Sequence, residues 1–361
     1  MISRRQAQII GLVVAVIVLA VLLVLPHQTG TTSTLRWAQV LYIGIAAMGL
    51  NLLTGYNGQV SIGHGAFFGV GAYTTALLMH NEGWQFLPTL VVAAPVCFLV
   101  GVVVGFPALR VKGLYLALVT LGLAVLFPDL TKRFVHATGG TNLVSLTRAE
   151  LAPPAWVPLW VSGEGRDDQW AYYVTLGAAI VLVIAAVIIV RSRFGRALIA
   201  VRDHEAAAET VGINVAQVKV LAFAVSALYA GIAGSCAVLV THIANAEKVN
   251  TFQLSIEFLV AVVIGGTATV IGPLLGAWIV VFLQHYISDD LPNHVSSLGP
   301  LKRVLGDPAA SPAIFGILLI LFVYVLPDGI VGGARRLLAR LARGRQPRAP
   351  AAPPSPTPLT T

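Results

Sequence analysis

Two clusters of polar side chains interrupt an otherwise apolar sequence, and neither is arranged to break bonds. The first is Asn57, Gln59, Ser61 and His64, set among Gly55, Gly58, Gly63, Gly65, Gly69 and Gly71. The second is Thr267 and Thr269, which follow Gly265 and Gly266 and precede Gly272 and Pro273. Amides, hydroxyls and one imidazole can hydrogen-bond a small polar guest or one another, but they form no nucleophile–base pair. His64 reads as a hydrogen-bonded core residue or as a proton relay. Glu257 is the one carboxylate in the apolar stretch before the second cluster, and an ionisable group in such a place is a functional candidate. Its structural alternatives are a cation partner on another helix or a position near the membrane surface.

Catalytic motifs are missing. The apolar segments hold no HExxH, no CxxC and no conspicuous carboxylate pair. None of Lys112, Lys132, Lys219, Lys248 and Lys302 follows a glycine, so there is no phosphate-cradling GK[ST] loop. Cys97 and Cys236 both lie inside apolar runs and read as packing residues, with no metal or disulfide role. The expectation is a chain that is not an enzyme and holds no metal or cofactor of its own.

A third polar stretch, 191–218, has a clear internal design: basic Arg191, Arg193, Arg196 and Arg202, a short amphipathic piece, and a glycine stop. Asp203 is placed to cap a helix from His204 to Val211. Glu205 sits in its positive first turn, and Gly212 can close it in the left-handed conformation. Eight residues make a helix of roughly 12 Å. An ordinary surface helix in a polar loop is one reading of it.

The elements that must position these clusters are membrane helices. With 57% hydrophobic and 11% charged residues and a mean hydropathy of +0.84, the chain is no water-soluble domain. The net charge of +8 sits in clusters beside apolar runs, as the positive-inside rule requires, so it signals topology and not nucleic acid. Ten apolar runs follow one another: 9–25, 35–54, 66–79, 87–109, 114–127, 171–190, 218–241, 255–264, 274–287 and 313–326. Several fall short of the ~20 residues that cross a bilayer untilted. The first, after Arg4 and Arg5, has a cleaved signal peptide as its alternative. Pro128 is expected to stop the fifth, and 255–287 reads either as two spans or as a hairpin that does not fully cross.

The fold class expected is therefore all-α: a polytopic transmembrane helical protein of about ten segments, several short or discontinuous. Non-helical backbone at membrane depth survives only inside protein or along a wet cavity. Paired broken helices in the two halves point to a membrane binding site, so Asn57, Gln59, Ser61, His64, Gly265, Gly266, Thr267 and Thr269 are candidates for a translocation path. Tight helix packing is the alternative for the glycines. An even number of spans puts both basic termini and the 191–217 loop in the cytosol and 128–170 outside. The membrane domain is expected over 1–334, and 335–361 as a basic, proline-rich, disordered cytosolic tail.

Four stretches in order carry a resemblance: NLLTGYNGQVSIGHGAFFGVGAY from Asn51, FPALRVKGLYLALVTLG from Phe106 with TGGTNL from Thr138, FGRALIAVRDHEAAAETVGINVAQVKVLAFAVSALYAGIAG from Phe194, and SIEFLVAVVIGGTATVIGPLLGA from Ser255. As a set they resemble the permease subunits of ABC importers for branched-chain amino acids, the LivH/LivM family, and within it the LivM-like member. The resemblance implies a bacterial inner-membrane permease that works with a homologous permease, two cytosolic ATPase subunits that bind the ATP and Mg, and an extracytoplasmic solute-binding protein. It implies that 202–212 is the helix that couples to the ATPase, with Arg202, Asp203, Glu205, Ala206, Ala207 and Gly212 on it. Leu143 departs from the family's TGG-x-N-G-L element, and 145–168 and 288–311 diverge, which leaves the substrate open between a branched-chain amino acid and urea or another small amide. A self-sufficient channel or ion-coupled carrier is the alternative of another class.

Overall fold

The computed structural model describes residues 4–109, 113–133, 144–147, 150–154, 156–158, 167–244, 251–287, 311–326, 329–333 and 336. Every one of the ten apolar runs folds as a helix. They are α1 (Arg4–Gln28), α2 (Thr31–Asn51), α3 (His64–Glu82), α4 (Phe86–Ala108) and α5 (Leu114–Arg133), then α6 (Asp167–Arg191), α9 (Val215–Thr241), α10 (Thr251–Gly265), α11 (Gly272–His285) and α12 (Ser311–Val325). The polar loop between α6 and α9 adds α7 (Arg193–Asp203) and α8 (Glu205–Thr210). Two-residue strands β1 (Val144–Ser145) and β2 (Ile243–Ala244) pair antiparallel, with Val144 opposite Ala244. Of the tail from 335, only 336 lies among the described residues.

Among the described residues, length and composition let five helices cross a bilayer: α2, α4, α5, α6 and α9. The arms α10 and α11, at 15 and 14 residues, reach only about 22 Å and fold against each other. A Cβ added to Gly265 would strike the Gly272 carbonyl, so the glycines at the bend let the two arms touch backbone to backbone.

The apolar windows of α2 and α9 are 89% and 83% buried, against 28% for α4 and α6, so the first pair is the centre and the second the rim. Small residues make the centre possible. Gly71 of α3 rests on the carbonyl of Gly231 in α9, and Gly234 rests on the carbonyl of Phe68, so any side chain there would push the helices apart. Across the other side of α9, the Tyr229 hydroxyl donates to the Leu182 carbonyl at 2.8 Å and fastens α6.

Two local expectations are corrected. Pro128 does not end its helix: α5 continues to Arg133. Proline removes the N–H that would reach the carbonyl four residues back, which is that of Ala124. That carbonyl instead accepts from the Thr251 hydroxyl of α10 at 2.6 Å, so the gap in the ladder is filled from outside. The second correction concerns the loop. The helix expected over His204–Val211 runs from Glu205 to Thr210 with His204, not Asp203, as its cap, and 202–212 is not one helix because α7 ends at Asp203.

Candidate functional site

The loop leaves α6 at Ser192, whose hydroxyl accepts from the Gly195 N–H at 3.2 Å and starts α7. Gly195, Leu198 and Val201, three residues apart, bury one face of α7, while Arg193 and Arg196 stay exposed. The α7 stripe therefore lies against the membrane helices, and Arg193 and Arg196 look away. At His204 the backbone turns extended, and its Nδ1 accepts from the Ala207 N–H at 3.2 Å. Gly212, at φ 84°, closes α8 as its position suggested, and the Ile213 N–H returns to the Ala208 carbonyl at 3.0 Å. Asn214 then caps α9 through Gln217 N–H at 3.0 Å.

Ala206, Ala207, Thr210, Val211 and Gly212 are exposed, which makes α8 a small, smooth knob. Ala208 faces inward. Glu205 fixes the knob to the first turn of α9 through a 2.7 Å ion pair with Lys219, whose side chain is mostly buried. Asp203 serves Arg202, accepting from its Nε at 2.9 Å and its Nη2 at 2.8 Å.

Arg202 also reaches the first glycine-broken region. Its Nη1 donates to the carbonyl of Gly55 at 3.0 Å. There α2 loosens into a single π turn, Leu52–Tyr56, before the irregular stretch that leads to α3. The second broken region meets the same turn through Asn51. The Asn51 Nδ2 donates to the Thr269 carbonyl at 2.7 Å and its Oδ1 accepts from the Ala268 N–H at 3.0 Å. Loop, first break and second break are thus bonded in series. A polar cavity of about 440 Å3 lies between the loop and the first break, with Asn57, Gln59, Arg202, Asp203, Glu205 and Ala206 in its wall.

The candidates separate into three places. Asn57 and Gln59 line this cavity and bond each other at 2.8 Å. Ser61 and His64 are fully buried in the helix core. His64 Nε2 lies 3.1 Å from the Ala46 carbonyl, and its Nδ1 lies 3.5 Å from the Ser226 hydroxyl, so the ring ties α2, α3 and α9 together. Ser61 has no hydrogen-bond partner among the described residues. Thr269 donates to Gly266 within the second bend, and Thr267 is exposed there. Glu257 belongs to a separate cavity at the far end of α9 and is paired with no Lys, Arg or His among the described residues. Asn51, His204 and Lys219 were not singled out from sequence. For Asn51 a signal existed: an amide inside an apolar run, one helical turn before Gly55.

A family model described as "Branched-chain amino acid transport system / permease component" matches residues 33–323, which include both breaks and the loop. The chain belongs to that family. The permease is 31% identical over 311 residues to the high-affinity branched-chain amino acid transport system permease protein LivM of Escherichia coli K12, covering 81% of this chain and 72% of that one. The LivM protein of Salmonella typhimurium is 30% identical over 285 residues, with 74% and 66% covered. The Escherichia coli K12 LivH protein is 25% identical over 310 residues, with 80% and 90% covered. No solved structure matches the permease. It is an all-α, polytopic membrane transport subunit, and the breaks described above fall inside the matched residues.

Proposed function

We propose that the permease imports a branched-chain or other hydrophobic amino acid across the bacterial inner membrane as part of an ATP-driven importer. It forms the translocation path with a homologous permease and receives substrate from an extracytoplasmic binding protein. Two cytosolic ATPase subunits bind the ATP and Mg and drive it. Both termini and the 191–217 loop lie in the cytosol, where α8 seats on an ATPase subunit. The observation that carries this reading is the bonded series from α8 through Arg202 to Gly55 and, through Asn51, to Thr269. A push on α8 has a short, rigid route to the two places where the membrane helices are broken, which is what coupling needs. The exposed alanines of α8 allow close approach by a partner, and the Glu205–Lys219 pair keeps α8 in step with α9.

The test is to purify this chain with its partner permease, ATPase subunits and binding protein, and to follow uptake of leucine, valine and urea in proteoliposomes. Leucine uptake should need ATP and the binding protein, and should be lost in the Glu205→Arg, Ala207→Trp double variant while the subunits still assemble. Uptake by this chain alone, indifferent to the loop change, would replace this reading with a channel or carrier; uptake of urea in place of leucine would change the substrate.

A further inference from the structure

At the end of α9 away from the loop, a cavity of about 210 Å3 opens between α2, α3, α9 and α10. It takes Ala237, Val238 and Thr241 from the last turns of α9, a helix of 27 residues and so about 40 Å long, whereas Lys219 and the loop sit at its first turn. In the orientation proposed above, the cavity lies on the outer side.

Its wall has two chemistries. Phe68, Val238 and Leu254 make an aliphatic and aromatic lining, with Ala72 and Ala237 leaving room between them. Glu257 stands in the same wall, 6% exposed, with its Oε1 accepting from the Gln253 amide at 3.0 Å and the Gln284 amide also bonded to it. Tyr42 lines the same cavity. Amides alone compensate a buried carboxylate poorly, and a cationic guest would complete it. The volume equals roughly seven water molecules at ~30 Å3 each, which admits one small aliphatic amino acid and not a dipeptide.

We infer that this cavity receives the substrate within the membrane: Glu257 holds the α-ammonium of a zwitterionic amino acid, Tyr42 donates to its carboxylate, and Phe68, Val238 and Leu254 take its aliphatic side chain. This assignment rests on the importer reading and sharpens it, because a neutral amide such as urea would leave the carboxylate unpaired.

Thr241, exposed at the cavity mouth, provides the probe. In the assembled importer, T241C is labelled with a fluorescent maleimide; the native Cys97 and Cys236 are buried. Leucine should slow the labelling, urea and glutamate should not, and E257Q should abolish the protection. In proteoliposomes, E257Q should lower ATP-driven leucine uptake by roughly tenfold or more, the scale of losing one buried charge pair, while ATP hydrolysis stimulated by the binding protein persists. E257D should recover part of the uptake. If the unaltered complex takes up leucine on ATP but leucine leaves T241C labelling unchanged, or E257Q transports normally, the site is wrong and the importer reading stands. If the unaltered complex takes up no leucine, the importer reading falls and the site falls with it. The labelling of T241C beside native Glu257 decides the matter even if E257Q does not assemble.

Discussion

Arg202 and Gly55, 147 residues apart, are joined by a 3.0 Å hydrogen bond from guanidinium Nη1 to backbone carbonyl. The same guanidinium holds Asp203 by two further N–H groups, so its planar fork is shared between the loop and the π turn that ends α2. Lysine has no such fork and cannot serve both partners in one geometry. Arg202→Lys and Arg202→Ala should therefore leave assembly intact, since an exposed ion pair contributes about 0–1 kcal/mol, and should slow ATP-driven uptake several-fold. Uptake measured per assembled complex checks this; an unchanged rate in Arg202→Ala would remove Arg202 from the coupling route.

Asn51 makes the next link, and its energetics are different because both its partners are backbone groups in the interior. Asn51→Leu leaves the Ala268 N–H and the Thr269 carbonyl without their partner. Each group so orphaned costs on the order of 1–3 kcal/mol. We expect a clear fall in the thermal unfolding temperature of the detergent-solubilised complex. Asn51→Asp keeps the acceptor for Ala268 but, when ionised, sets a buried charge against the Thr269 carbonyl, so it should also melt below the unaltered protein; melting curves of both variants identical to the unaltered protein would sink the account.

Local order was legible in the sequence where it depends on neighbours in the chain. Ten apolar runs became ten helices, and Gly212 terminates α8 at positive φ, because hydropathy and glycine chemistry act over a few residues. The loop's cap was misassigned for an equally local reason. Asp203 is the better cap by type, but Arg202 occupies its carboxylate, and His204 takes the place with a ring nitrogen. What could not be read were bonds between distant segments: Asn51 to Thr269, Arg202 to Gly55, and the β1–β2 pairing. The glycines of the first break were open between packing and a path. Gly71 packs on a backbone carbonyl, while Gly58, at φ 75°, shapes the cavity beside Arg202.

The helix that runs through Pro128 depends on a hydroxyl from another segment. Thr251→Val is nearly isosteric but cannot donate to the Ala124 carbonyl, which then has neither a helical N–H nor a side-chain partner. The cost should be on the order of 1–3 kcal/mol, localised to the contact of α5 with α10. Thr251→Ser keeps the hydroxyl and should be close to neutral. Hydrogen exchange across 120–133 separates the two variants, and equal protection in both would mean that the Thr251 bond does not hold α5 together.

Glu150 provides a pH-dependent link in the segment between α5 and α6. Its Oε2 accepts from the Thr147 hydroxyl at 2.7 Å and from the Thr147 N–H at 2.6 Å, and its Oε1 lies 3.3 Å from His80 Nδ1 near the end of α3. The Thr147 hydroxyl first, then the Thr147 N–H, hold the carboxyl below the usual glutamate value. A carboxyl depressed by folding stabilises the folded form above its unfolded value, about 4.3, and loses that contribution as pH falls through the lower folded value. The Thr147–Glu150 bonds, and with them the β1–β2 pairing next to them, should stay closed at neutral and mildly acidic pH and open below the ordinary glutamate range. Glu150→Gln keeps an acceptor but loses the charge, so it should show looser pairing at neutral pH and little further change on acidification. Hydrogen exchange of the peptide covering 144–154, corrected for intrinsic rates, measures both. Protection that is the same at about pH 6 and about pH 3 in the unaltered protein would show that the Glu150 carboxylate does not hold this pairing.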